Sequence, residues 1–387
     1  MSALACAYSI TDLHERAPRR LPQGLFEFVD RRAEDDLSIS ANVRAFQRVS
    51  LKPRMLVDVS ARSLRTELFG QSCEMPIAIA PTGAARLLWH DGEMVRARTA
   101  RDAGTPFTQS TASLTSMERV ASEAGRRLWF QLCMWPDRNM SYELVKRAQG
   151  AGHEALIITV DTPLVPKREY NHVNGFDLPF RVNSRNAWDI ASSPRWLAGM
   201  IGRYLAQGGL PEFENFRLAL RRSMMGAAPG QRTLPLTDSL TWEHIRHLRG
   251  MWRGPLIVKG VLHPDDAARA ADAGADGIIA SNHGGRNLDT SVAPLVVLPQ
   301  IVDRVGHRVT VLPDSGIRRS SDVVKALAMG AKAVLVDRAP LWGLACAGAA
   351  GVRHALEVLR AETDRAMGFM GCPTAASLDR TLLQPEH

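Results

Sequence analysis

The strongest constraint on the fold of this chain is a rhythm. Eight short runs of Val, Ile, Leu and Ala recur along it, nearly every one followed by a stretch of helical amphipathicity. PIAIAP (76–81) precedes a helical pattern over 92–103, PFTQS (106–110) precedes SMERVASEA, and LWFQLCM (128–134) leads into DRNMSYELVKRAQGAG. ALIITVD (155–161) comes next, and a long interruption follows it. The rhythm resumes with PLIVKG (255–260) before HPDDAARAADAG, and GIIASN (277–282) before SVAPLVVLPQIVDRV. It ends with TVLPDSG (310–316) before SSDVVKALAMG, and AVLVDR (333–338) before a helical tail from Pro340 to Met370. Strands that are apolar throughout are buried on both faces, so they pair in parallel beneath helices. Eight such units predict a (β/α)8 TIM barrel over about 76–371, with an N-terminal helical extension and an insertion over about 175–254. A doubly wound sheet would carry GxGxxG after its first strand, and APTGAARL lacks it. Residues 1–75 read as a helical cap without a core of its own, so 1–387 is expected to be one domain.

Composition excludes several classes. Five cysteines (Cys6, Cys73, Cys133, Cys346, Cys372) lie far apart with no CxxC pair, which argues against a disulfide framework or a zinc site and for a reducing compartment. No apolar run reaches the roughly 18 residues that span a bilayer. The first twenty residues mix acids with bases and lack a secretory apolar stretch, so a cytoplasmic location is expected, with peripheral attachment to the inner face of the cell membrane kept open. The net charge of +8 raises nucleic acid as a partner, yet no zinc-finger, RNP or basic-zipper pattern is present. The excess is local: residues 181–232 hold eight Arg and no Lys against Asp189, Glu212 and Glu214.

Chemistry in a barrel sits where strands end at the carboxyl face. Here every strand end is polar: Thr82, Ser110, Gln131, Thr159 with Asp161, Lys259, Ser281 with His283, Asp314 with Ser315, and Asp337 with Arg338. In ASNHGGRNLD (280–289) a buried strand runs straight into a histidine and an arginine separated by glycines, residue types that a proton transfer and an anion require. DSGIRRSSD offers a glycine turn and a helix N-terminus at Ser320–Ser321, which with Arg318 and Arg338 predicts a phosphate cradle.

Taken in order, RMLVDVS (54–60), WFQL (129–132), TVDTP (159–163), VKG (258–260), SNHGGRNLD (281–289), DSGIRR (314–319) and GAKAVLVDR (330–338) resemble a known family. It is that of the FMN-dependent L-2-hydroxy acid oxidases and dehydrogenases, which includes glycolate oxidase, L-lactate dehydrogenase and (S)-mandelate dehydrogenase. The resemblance runs from about Leu21 to Leu383. It implies FMN as cofactor, with Pro81, Thr82 and Gly83 near the isoalloxazine, Ser110, Gln131 and Thr159 on its ring edge, Lys259 by its N1/C2=O side, and Ser281 in contact. The ribityl chain falls to Asp314, with Ser315 beside it, and the phosphate to Gly316, Ile317, Arg318 and Arg338. It further implies a 2-hydroxy acid substrate, His283 as base, Asp161 as its orienting partner, and Arg286 with Arg168 on the carboxylate. Whether the α-hydrogen leaves as proton or hydride stays open. The electron acceptor stays open too, among quinone, cytochrome and O2, with Gly83 pointing to a dehydrogenase. A homotetramer is expected.

Three positions depart from the family pattern. Two substrate-facing tyrosines fall on Phe28 and Cys133, and a glycine before the phosphate arginine falls on Asp337, whose backbone N–H can still serve. Loss of both phenols favours a larger, more apolar substrate such as mandelate over lactate. In the insertion, Trp188, Trp196, Leu197, Met200, Ile201, Tyr204 and Leu205 interleave with Arg185, Arg195, Arg203, Arg221 and Arg222. That pattern suits a membrane interface, as in family members that attach through this region, or a lid packed on the barrel. Two other function classes compete: a flavin-dependent isomerase, which would have no use for a carboxylate clamp, and a flavin-binding relative with lost or altered activity.

Overall fold

The computed structural model describes residues 4, 6–176, 183–207, 209–216 and 237–385. The eight apolar runs form the expected strands: β1 (Ile77–Thr82), β2 (Phe107–Ser110), β3 (Leu128–Cys133), β4 (Ala155–Thr159), β5 (Leu256–Val261), β6 (Gly277–Ala280), β7 (Thr310–Pro313) and β8 (Val334–Val336). All pair in parallel, in the order β7-β6-β5-β4-β3-β2-β1-β8. The ring closes through a backbone bond from Lys332 N to Val311 O at 3.1 Å. Helices between and after the strands form the outer layer, among them Gly92–Asp102, Arg138–Gly150, Pro264–Asp272, Pro294–Val305 and Ser320–Ala328. The tail Arg338–Met370 is broken at Ala347 and Gly348, where the backbone leaves helical geometry beside Trp89.

Alternation within each strand builds two cores. Side chains such as Ile79, Phe130, Ile158 and Val258 face the helices, while Ala78, Trp129, Ile157, Ile257, Ile279, Leu312 and Leu335 fill the barrel interior. The reading of residues 1–75 as purely helical is corrected here. A hairpin of Thr66–Leu68 and Gln71–Cys73 lies across the amino end of the barrel, and Val49–Leu51 pairs with Leu383–Pro385. Leu68 is buried with the interior set, and Phe69 meets the Trp129 ring edge-on at 5.7 Å. Gly277 makes room for that ring, since a Cβ there would stand 2.8 Å from it. Three-residue strands are too short to leave a period in the sequence, which is why the helical-cap reading of 1–75 passes over them.

The insertion divides by face. Trp196 donates to the Leu87 carbonyl at 2.7 Å, Tyr204 packs on Arg86, and Met200 is buried. Trp188, Leu197 and Leu205 stay exposed, as do Arg185, Arg195 and Arg203. Arg221 and Arg222 lie outside the described residues. Among the described residues no helix is long and apolar enough to cross a membrane.

Candidate active site

At the carboxyl end of the barrel lies a cavity of about 910 Å³. Every site residue singled out from sequence lines it except Asp161 and Ser281, which stand directly behind its wall, and the Ser320–Ser321 helix start. Three groups of side chains define its chemistry.

The first is a polar belt across the strand ends. Ser110 Oγ donates to Gln131 Oε1 at 2.9 Å, and Gln131 Nε2 donates to Thr159 Oγ1 at 2.8 Å and to Cys133 Sγ at 3.0 Å. Pairing of β3 with β4 and of β4 with β5 puts Cys133 beside Thr159, and Thr159 beside Lys259. Lys259 is almost wholly buried; its Nζ donates to Ser281 Oγ at 2.9 Å and lies 3.1 Å from Asp314 Oδ2. Burial pulls the ammonium down, yet the carboxylates of Asp314 and Asp161 outweigh it and hold Lys259 above the ordinary lysine range. A fixed positive charge therefore stands at the middle of the cavity floor. Ser281 is an anchor for that charge, not a cavity contact, and its Oγ also accepts the His283 N–H at 3.0 Å.

The second group surrounds His283, whose backbone is left-handed at φ 56°. Such strain in a non-glycine residue persists only where the surroundings enforce it. Asn282 pins the turn by accepting the Gly285 N–H, and Gly284 lets Arg338 approach, since a Cβ at 284 would meet its NH2 at 2.7 Å. His283 Nδ1 lies 2.9 Å from Asp161 Oδ1, as the sequence predicts. Burial pushes the Asp161 carboxyl up, but His283 and then Lys259 hold it below the usual carboxylate range. Sequence reasoning missed two supports. Thr162 Oγ1 lies 3.2 Å from Asp161 Oδ1 and 3.4 Å from His283 Nδ1, and Asn287 Nδ2 donates to the Asp161 carbonyl at 2.6 Å and to Thr162 at 2.9 Å. Both stand beside predicted residues, and that adjacency was the only signal available. Arg286 uses NH1 on the carbonyls of Phe28, Val29 and Arg31, and its guanidinium lies 5.6 Å from the Phe28 ring centre. Arg168 lines the same cavity. Asp289, the acid of the ASNHGGRNLD stretch, is structural: it accepts the backbone N–H groups of Asp35, Leu37 and Ser38.

The third group is the anion end. Ser315 is left-handed at φ 71°, its hydroxyl donates to Asp314 Oδ1 at 2.7 Å, and it accepts the Gly284 N–H at 3.0 Å. Arg338 is buried and Arg318 half-buried, and among the described residues neither forms an ion pair. Burial pushes the Arg338 guanidinium down to about 10. The predicted contribution of the Ser320–Ser321 helix start is corrected. Asp322 Oδ2 already accepts the Arg318 and Arg319 N–H groups at 2.9 Å, and Glu362 accepts the Ser320 N–H at 3.3 Å. The helix packs its N-terminus on the C-terminal tail, away from the cavity, which leaves the guanidinium groups and the 315–317 turn as the candidate anion site.

A sequence model described as FMN-dependent dehydrogenase matches residues 17–385. The chain belongs to that family. It is 39% identical over 379 residues to (S)-mandelate dehydrogenase of Pseudomonas putida, covering 98% of this chain and 94% of that protein. It is 37% identical to L-lactate oxidase of a Nostoc species, covering 99% of this chain and 100% of that protein. A crystal structure of the monotopic membrane protein (S)-mandelate dehydrogenase superposes with a TM-score of 0.90 at 38% identity, over 98% of this chain and 99% of that one. Membership makes the protein an FMN-dependent oxidoreductase of the 2-hydroxy acid dehydrogenase/oxidase type. The residues present fit FMN: one buried and one half-buried guanidinium, neither in an ion pair among the described residues, suit one terminal phosphate, and a buried ammonium suits a ring that gains negative charge on reduction.

Proposed function

We propose that this protein oxidises L-2-hydroxy acids with an aryl or other large apolar side chain to the 2-oxo acids, and passes the electrons to a membrane-held acceptor. The observation that carries the reading is the His283–Asp161 pair at 2.9 Å, facing the same cavity as Arg286 and Arg168. Oxidation removes two protons and two electrons from the substrate's H–C–OH unit: one proton goes to His283, and the other goes with the electron pair to the flavin. Bound FMN supplies the two-electron acceptor. Arg286 and Arg168 hold the substrate carboxylate, a task suited to planar guanidinium groups. With Nδ1 turned to Asp161, His283 presents Nε2 to the cavity and takes the proton there. Asp161 then stabilises the imidazolium and, with Thr162, fixes the ring. Lys259 stabilises negative charge on the cavity floor.

The preference for a large side chain rests on Phe28 and Cys133. Phe28 gives the cavity an aromatic wall, its ring tilted against that of Phe176 at 5.6 Å, and Cys133 offers a small thiol where it also borders a side cavity of about 60 Å³. Burial pushes the Cys133 thiol up, so it stays protonated and acts as apolar wall. The membrane-held acceptor is supported by the exposed Trp188, Leu197 and Leu205 beside Arg185, Arg195 and Arg203. Similarity to a monotopic membrane dehydrogenase points the same way.

The test is an anaerobic titration of the yellow protein with (S)-mandelate, L-lactate and glycolate. Bleaching by mandelate at the highest kcat/KM supports the reading; lactate or glycolate as the best substrate overturns it.

A further inference from the structure

At the corner between β1 and β8 lie two charged groups that the chemistry above does not use, Arg96 behind the cavity wall and Asp337 on it. Arg96, on the helix Gly92–Asp102, is wholly buried. Its NH2 donates to Thr82 Oγ1 at 2.8 Å and to the Ala80 carbonyl at 3.4 Å, and its guanidinium lies 5.5 Å from the Phe107 ring centre. Its Nε and NH1 are buried without a hydrogen-bond partner. A lone buried guanidinium is among the least favourable groups an interior can hold. Burial pulls it down to about 10, and the carboxylate that most opposes this is Asp337, followed by Glu93.

Asp337 is the mirror case. It ends β8, reaches the cavity, and has a buried Oδ1 without a hydrogen-bond partner. Burial raises its carboxyl, the guanidinium groups of Arg286, Arg96 and Arg318 lower it, and Asp314 raises it again. Ile79 of β1 pairs with Val336, so both groups share one corner of the barrel. They are coupled through charge yet make no direct bond. Orphan donors and an orphan acceptor buried in the same corner suit one bridging water.

We propose that Arg96 and Asp337 form a single water-bridged counter-charge pair that draws the Asp337 carboxylate away from the FMN phosphate site. Asp337 immediately precedes Arg338, so a carboxylate turned into the cavity would offset the attraction of Arg338 and Arg318 for a phosphate. Held by Arg96, it does not. Arg96 is thus a positioning residue for the cofactor, and its bond to Thr82 ties the same pair to the cavity wall above β1.

The test measures FMN affinity of the apoprotein by quenching of FMN fluorescence, independently of turnover. Arg96→Met frees the carboxylate, and FMN binding should weaken on the order of tenfold or more, the scale of one uncompensated charge in a partly buried site. Arg96→Lys should keep most of the affinity. Asp337→Asn alone should leave FMN affinity within about threefold of wild type, because the charge it removes is already held off the phosphate site by Arg96. The double variant Arg96→Met with Asp337→Asn should return to within about threefold of wild type, because removal of one partner is harmful only while the other stays charged. A double variant as weak as Arg96→Met, or Asp337→Asn that tightens binding tenfold or more, overturns the proposal. Should Arg96→Met alone fail to fold, recovery of folding and FMN affinity in the double variant supports the pair, and continued failure overturns it.

Discussion

Asp161→Asn is the sharpest probe of how the base is held. The substitution keeps the shape of a side chain whose Oδ1 sits 2.9 Å from His283 Nδ1 and 3.2 Å from Thr162 Oγ1. It removes the charge that the imidazolium would face, and it puts a neutral amide where a buried carboxylate stood. A hydrogen bond to a charged partner contributes about 1.5–3 kcal/mol against 0.5–1.5 for a neutral one. Coulomb attraction at this separation and an effective dielectric near 20 sets an upper bound of about 6 kcal/mol. The loss in the proton-transfer step should therefore be about 2–3 kcal/mol, a rate reduction of roughly thirty- to 150-fold. Thr162 and Asn287 still hold the neighbouring backbone, so ground-state binding should change little. Anaerobic stopped-flow mixing with (S)-mandelate reads the step as loss of flavin absorbance. The rate at saturation should fall by that factor, with FMN retention and apparent substrate affinity within about threefold of wild type, a shift of less than 1 kcal/mol. A saturating rate within threefold of wild type would refute the orienting role of Asp161.

Three further outcomes follow from the same geometry. Phe28→Tyr combined with Cys133→Tyr restores two phenols to the pocket, and the ratio of mandelate to lactate kcat/KM should drop on the order of tenfold from two hydrogen bonds gained by the small acid; an unchanged ratio would show that these positions do not set preference. Arg338→Ala deletes one buried guanidinium of the anion end, and FMN should dissociate from the diluted protein with affinity lowered about ten- to a hundredfold; retention equal to wild type would place the phosphate elsewhere. His153, buried against Phe130 and 3.3 Å from Gln109 Oε1, is held down to about 4 by burial. The unfolded chain then binds a proton that the folded one refuses between pH 6.5 and 4, so stability is full above 6.5 and falls across that window by up to about 3 kcal/mol. His153→Gln should flatten the drop in urea midpoint between pH 7 and 4.5, and an identical drop in both proteins would contradict the assignment.

The barrel was legible because strands covered on both faces leave uninterrupted apolar runs. LIV at 256–258 and GIIA at 277–280 could not sit elsewhere. The closing hairpin was not legible, since Leu68 and Phe69 acquire meaning only once the barrel floor exists. At the site, the strand-end residues were readable because polar groups after apolar strands stand out. The supporting atoms were not: Thr162 looks like a loop residue, and Arg96 like one more helix surface charge, until the fold buries it behind β1. The Ser320–Ser321 helix start misled for the converse reason. Its sequence suits an anion, but Asp322 and Glu362 reach its N–H groups first. In the insertion, alternating aromatic and basic residues gave no hint of which face the barrel would claim; Trp196 and Tyr204 turn inward because Leu87 and Arg86 offer polar partners there.

The most direct measurement of the central claim is the anaerobic reduction of His283→Ala. This variant removes only the ring that faces the cavity, while Lys259, Arg318 and Arg338 remain to hold FMN. The protein should purify yellow with wild-type FMN affinity, and (S)-mandelate should bleach it on the order of 10²–10⁴ times more slowly than wild type. Bleaching at the wild-type rate would show that the proton is taken by another group, and would contradict the account at its centre.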